Sequence, residues 1–73
     1  MSLTPPILQP GTTGTHVERL QRDLSQLGHQ VEVNGVFDES TENAVKKFQQ
    51  DNNLTVDGIV GPQTGRQVGS ALA

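Results

Sequence analysis

Two histidines and eight Asp and Glu residues are the acid, base and metal-binding candidates of this 73-residue chain, which has no cysteine. His16 and His29 flank a helical stretch and lie about 19 Å apart at the helical rise, too far to share a metal ion. Each reads as an exposed helix-terminal residue. Asp38, Glu39 and Glu42 fall in the first turns of one predicted helix, where unpaired N–H groups and the helix dipole favour negative charge without catalysis. Ser2, Ser25, Ser40 and Ser70 sit in no Gly-x-Ser-x-Gly elbow. Lack of cysteine removes disulfides, thiolate metal sites and thiol nucleophiles together. The expectation is a non-enzyme with no catalytic residues, no metal and no cofactor.

The net charge of −3 and the scatter of Arg19, Arg22, Lys46, Lys47 and Arg66 argue against nucleic acid, which calls for clustered cations. No apolar run approaches the roughly 20 residues that span a bilayer, so membrane insertion is not expected. Met1-Ser2-Leu3 is followed by no charged-then-apolar signal pattern. Recognition by polar turn residues is the chemistry left.

Three helices have to position those residues. Pro5, Pro6 and Pro10, with Gly11-Thr12-Thr13-Gly14, predict an extended lead-in on which Ile7 and Leu8 are free to dock. The first helix is expected from Thr15, capped by a Thr15-x-x-Glu18 box, with Val17, Leu20, Leu24 and Leu27 on one face and Gly28 as a left-handed stop. Gln21 flanks that face and either ties a loop to it or faces a groove. The second helix is expected from the Asp38 cap to about Asn52, with Thr41, Ala44, Val45 and Phe48 inward and Asn53 as terminator. The third opens at Pro62 and is expected to be short and frayed, because Gly65 and Gly69 each cost about 1 kcal/mol in a helix interior. Val31-Glu32-Val33 is too short to be a stable lone strand and reads as extended loop.

The most informative feature is a repeat. Asn34-Gly-Val-Phe-Asp-Glu-Ser-Thr41-Glu-Asn-Ala-Val45 aligns with Asp57-Gly-Ile-Val-Gly-Pro-Gln-Thr64-Gly-Arg-Gln-Val68. Each copy is a turn residue and glycine, two apolar anchors, a helix start, a threonine and an apolar residue four positions on. Two copies make a pseudo-symmetric pair, and the predicted fold is an all-α, compact three-helix bundle with an internal turn-helix repeat. Its expected core is Val17, Leu20, Leu24, Leu27, Val36, Ala44, Val45, Phe48, Leu54, Ile59, Val68 and Leu72.

From Leu8 to Leu72 the chain resembles the small peptidoglycan-binding domains found beside wall amidases, muramidases, transglycosylases, carboxypeptidases and transpeptidases. The resemblance is carried by Leu8, Gly11 and Gly14; Val17, Leu20-Gln21, Leu24 and Leu27-Gly28; Gly35-Val36-Phe37 and Thr41; Ala44-Val45-Lys46-Lys47-Phe48-Gln49; and Leu54 through Thr64. It implies residues 1–7 as lead-in and 8–73 as a monomeric, non-catalytic domain. That domain would bind peptidoglycan, through stem peptide, glycan or both, and hold a covalently linked catalytic domain in the cell envelope or outside the cell. Two departures stand out: Asp38-Glu39 where the family often has Gly-Pro, and Gly65 where it often has tryptophan or another large residue.

With no Trp or Tyr for sugar stacking, binding is expected in a shallow groove through the repeat loops and helix starts. The candidate residues are Asn34, Phe37, Asp38, Thr41, Asp57, Gly58, Gln63 and Thr64. Asn34 and Asp57 are equally able to close their own turns, and Thr41 and Thr64 to bond back to the helix caps. Two rival readings remain. One is a protein-docking or pro-segment-like module, although the zinc-blocking cysteine of metalloproteinase propeptides is absent. The other is a small enzyme.

Overall fold

α1 (Thr15–Gln26), α2 (Glu39–Asp51) and α3 (Pro62–Leu72) follow one another in a computed structural model that describes residues 6–73. The Met1-Ser2-Leu3 reading and most of the 1–7 lead-in lie outside the described residues. The radius of gyration, 11.0 Å, is about that of a fully packed chain of this length.

α1 buries Val17, Leu20 and Leu24 as its spacing requires. Its start corrects the expected Thr15 capping box: Gly14 is the N-cap, and no side chain caps the helix. The physical reason is Gly14 itself. It holds φ +125, donates its N–H to Gly35 O at 2.9 Å and accepts the Glu18 N–H at 3.1 Å. Thr15 is thereby drawn into the helix, and the Glu18 carboxylate pairs with Arg22. Gly28 (φ +94) ends α1 with paired bonds, His29 N–H to Leu24 O and Gly28 N–H to Ser25 O, the Schellman pattern.

α2 starts at the Asp38 cap, which accepts the Thr41 N–H at 3.1 Å, and ends at Asn53 (φ +58) with Leu54 N–H to Gln49 O at 2.8 Å. α3 opens with Pro62 behind a Gly61 cap and runs 11 residues despite Gly65 and Gly69.

The lead-in ties the two repeat turns together. Leu8 and Val60 exchange both backbone bonds, at 3.1 and 2.8 Å; farther along, Gly11 N–H donates to Phe37 O and Phe37 N–H to Thr12 O. These contacts make two isolated antiparallel bridges, Leu8 with Val60 and Thr13 with Val36. Leu8 docks on the core, whereas Ile7 stays exposed.

The buried core is Leu8, Val17, Leu20, Leu24, Phe37, Ala44, Val45, Phe48, Val60 and Val68, with Leu27, Val31 and Leu54 packed against it. Three expected members differ. Val36 is 44% exposed and Leu72 38%, and Ile59 is half-buried. Phe37 and Val60, one residue later in each copy, are inside instead, at 2% and 6%. The inversion occurs in both copies for one reason: the carbonyls of Val36 and Ile59 point inward to accept side-chain amide bonds, so their own side chains point out. Leu72 lies in the last turn of α3, beyond the core's reach.

Candidate functional site

Two buried glutamines organise the repeat. Gln21, on α1, is fully buried. Its Nε2 donates to Asn34 Oδ1, Val36 O and Thr41 Oγ1, and its Oε1 accepts the N–H groups of Asn34 and Gly35, all at 2.9–3.0 Å. Gln49, on α2, repeats every bond one unit later: Nε2 to Asp57 Oδ1, Ile59 O and Thr64 Oγ1, and Oε1 from the Asp57 and Gly58 N–H groups, at 2.9–3.1 Å. One amide thus ties a whole turn to the threonine in the first turn of the following helix. The alternative of Gln21 as a loop tie is the one the structure adopts.

Each turn also closes on itself. Asn34 Oδ1 accepts the Val36 N–H at 3.0 Å, and Asp57 Oδ1 the Ile59 N–H at 2.9 Å. The Asp57 carboxyl is held below its ordinary acidity range by the Ile59 N–H first and the Gln49 amide second. The Asp38 carboxyl is lowered too, chiefly by the Thr41 N–H. Hydrogen bonds to the charged form explain both shifts.

The eight candidate residues therefore divide. Phe37, Thr41, Gly58 and Thr64 are buried, and Phe37 presents no ring to a ligand; Asn34, Asp57 and Gln63 are exposed, and Asp38 is half-buried. The structure brings them together in two sets of four, one per copy.

A separate concavity lies between α1 and α3. This groove, of about 610 Å³, is floored by Leu8, Leu20, Val60 and Val68 and rimmed by His16, Arg19, Asp23 and Arg66. Its size is that of ordinary ligand sites, about 300–1,000 Å³. None of the eight candidates lines it, but the second repeat loop supplies one wall through Val60, Gly61 and Pro62. The loop that Asp57, Gly58 and Thr64 stabilise is thus part of the groove.

The charges are distributed unevenly. Arg22, Lys46 and Lys47 pair along their own helices with Glu18, Glu42 and Asp51. Among the described residues Arg19 and Arg66 make no ion pair, and both line the groove. Sequence reasoning missed these two. Arg66 was findable, because no carboxylate stands three or four residues from it. Gly65 keeps the groove open, since a Cβ there would meet nothing nearer than Val60 Cγ1 at 4.0 Å. Among the described residues no group of three His, Cys, Asp or Glu side chains could hold a metal ion.

Three helices, two internally satisfied turns and an open groove define a small binding module. The chain belongs to the family "Putative peptidoglycan binding domain", which matches residues 13–67. It is the non-catalytic module of that family. It is 40% identical over 58 residues to the spore cortex-lytic enzyme of Halalkalibacterium halodurans, covering 78% of this chain and 18% of that protein. The chain thus spans less than a fifth of that relative. Its fold matches the crystal structure of the SleB N-terminal domain with a TM-score of 0.91 and 32% identity, covering 99% of this chain and 100% of that one. It also matches a peptidoglycan-binding protein from Clostridioides difficile in complex with glutamine hydroxamate, with a TM-score of 0.88 and 36% identity over 94% of this chain and 43% of that one.

Proposed function

We propose that residues 8–73 act as a monomeric wall anchor, holding peptidoglycan in the groove between α1 and α3 and keeping a covalently linked catalytic domain at the wall. The observation that carries this reading is the groove itself: apolar floor, polar rim, and the two arginines left without ion pairs, in a chain whose family is one of wall binding. The relative named for cortex lysis, in which the matched segment is a small part of the protein, supports the tethering role and a location in the cell envelope or outside the cell.

In this reading the eight turn residues serve recognition mainly through the wall they build. Asp57, Gly58 and Thr64 fix the loop that bears Val60, Gly61 and Pro62, and exposed Gln63 adds a polar group beside it. Asn34, Phe37, Asp38 and Thr41 do the same for the first turn, which the lead-in joins to the groove. A shallow site without aromatic stacking gives weak single-site affinity, and repeated wall units restore retention through avidity.

Co-sedimentation with purified insoluble wall tests the proposal. Wild-type protein should pellet, and Gly65→Leu, which fills the groove from an open helical position, should pellet markedly less while remaining folded by circular dichroism. Folded wild type left in the supernatant at low salt and high protein concentration would overturn wall binding. Undiminished pelleting of Gly65→Leu would remove the groove from it.

A further inference from the structure

The two repeat turns differ in the residue that precedes the glycine: Asn34-Gly35 in the first, Asp57-Gly58 in the second. Asparagine before glycine is chemically fragile. The Gly35 nitrogen, unshielded by any side chain on its own residue, is one five-membered ring closure away from the side-chain carbonyl carbon of Asn34. Attack forms an N–Cγ bond and expels ammonia, which carries off the proton that Gly35 gives up. Water then opens the cyclic imide, at Cγ to leave aspartate or at the main-chain carbonyl to leave isoaspartate. The net change is one carboxamide and one water to one carboxylic acid and one ammonia.

The fold holds both reacting groups away from this step. The Gly35 N–H is buried and donates to Gln21 Oε1 at 2.9 Å. A nitrogen that lost its proton there would face an oxygen lone pair, so the bond favours the protonated, unreactive form. Asn34 Oδ1 is held by two donors, Gln21 Nε2 and the Val36 N–H, each at 3.0 Å. Asn34 itself is exposed, so water has access to an imide once one forms.

The second copy displays the turn as it stands with the acid in place. Asp57 occupies the position of Asn34, and its Oδ1 accepts from Gln49 Nε2 and the Ile59 N–H, both at 2.9 Å. Aspartate therefore fits the same bonds. The neighbours differ: Glu32 and Asp38 in the first copy correspond to Thr55 and Gly61 in the second. Asn34 Nδ2 donates to Glu32 Oε2 at 3.4 Å, and after the Thr41 N–H the Asn34 amide also helps to hold Asp38 ionised. A carboxylate at position 34 would lose that donor and stand between two like charges. Isoaspartate would instead insert a methylene into the main chain between the two N–H groups that Gln21 receives.

We propose that Asn34-Gly35 is a deamidation site governed by Gln21: it is preserved while the Gln21 amide holds the turn, reacts when that grip opens, and yields an aspartate turn of the second-copy form, weakened by repulsion from Glu32 and Asp38. Each event adds one negative charge to a chain of net charge −3.

The test follows the whole chain in warm, mildly alkaline buffer, with peptide mapping by mass spectrometry to locate the gain from NH2 replaced by OH. In urea-unfolded protein Asn34 should convert before Asn43, Asn52 and Asn53, and in folded protein it should convert at least about tenfold more slowly. Gln21→Leu, under conditions where circular dichroism retains its helices, should restore at least about tenfold of that rate. Wild type in urea below its unfolding transition gives a second measure that does not depend on the variant: conversion of Asn34 should rise in step with hydrogen exchange of the Gly35 amide. Asn34→Asp should fold, melt lower than wild type at low salt and regain most of the difference at high salt, where the repulsion is screened. Earlier conversion of another asparagine in the unfolded chain would overturn the site. Equal rates folded and unfolded, or conversion independent of Gly35 exchange, would overturn control by Gln21. An unfolded Asn34→Asp would overturn the aspartate turn.

Discussion

Gln49 stands to Thr64 as Gln21 stands to Thr41: each amide Nε2 reaches a hydroxyl on the next helix, at 3.1 and 2.9 Å respectively. The three helices are therefore linked in series, α1 gripping α2 and α2 gripping α3. No buried side-chain N or O atom among the described residues is left without a partner, so each grip is complete, and its removal strands several polar groups at once.

Gln21→Leu and Gln49→Leu should each destabilise the domain by about 3 kcal/mol or more, since two turn N–H groups and a buried hydroxyl lose their partner together. Urea unfolding measures this as a lower midpoint. A loss below about 1 kcal/mol in either variant would mean that water replaces the amide and the grip is not structural.

Acid should weaken the fold through Asp38 and Asp57. Both carboxyls are lowered from the ordinary 3.8 by hydrogen bonds to their charged forms. Their stabilisation is complete above that ordinary value and is lost as pH falls through the lower folded values, because the unfolded chain then binds more protons. Melting temperature should decline below about pH 4. Asp57→Asn should fold normally at neutral pH, as Asn34 already fills the equivalent place with an amide, and should show a shallower acid decline. Identical acid profiles for variant and wild type would assign the sensitivity elsewhere.

Two glycines should respond oppositely to alanine. At Gly58 (φ +74) a Cβ would lie 3.1 Å from both Glu42 Cγ and Lys46 Cε, so Gly58→Ala should cost about 1–2 kcal/mol or more. At Gly65, helical and open, Gly65→Ala should stabilise by up to about 1 kcal/mol. Thermal melts of the two variants should move in opposite directions.

The buried parity of the turns is tested by a neighbouring pair. Phe37→Ala should cost about 3–5 kcal/mol through the cavity it leaves. Val36→Ala, at an exposed position, should stay within about 0.5 kcal/mol. A reversal of that order would place Val36 inside.

The sequence carried the helices plainly, because Val17, Leu20 and Leu24, the Asp38 cap, Pro62 and the left-handed Gly28 and Asn53 are signals set within one or two turns. The repeat was equally legible, and so were the closures of Asn34 and Asp57 on their own turns. What escaped depended on the partner across the fold. Nothing local to Val36-Phe37 or Ile59-Val60 says which residue points in; the glutamine amides on other helices decide it by drawing the preceding carbonyls inward. For the same reason nothing local to Gln49 marks it as the tie of the second turn. The groove was hidden because its walls come from segments distant in sequence, Leu8, Leu20 and Val60 among them. Gly65, which stands where the family often has a large residue, is the residue whose missing side chain keeps that space open.

The serial grip also sets its own limit. Leu72 occupies, relative to Thr64, the place that Gln49 occupies relative to Thr41. A hydrocarbon there can neither receive the N–H groups of a turn nor donate to a threonine, so α3 carries no counterpart of the two glutamine clasps. The pair of clasps leaves α1 and α2 each holding the helix after it, and α3 held without holding in turn.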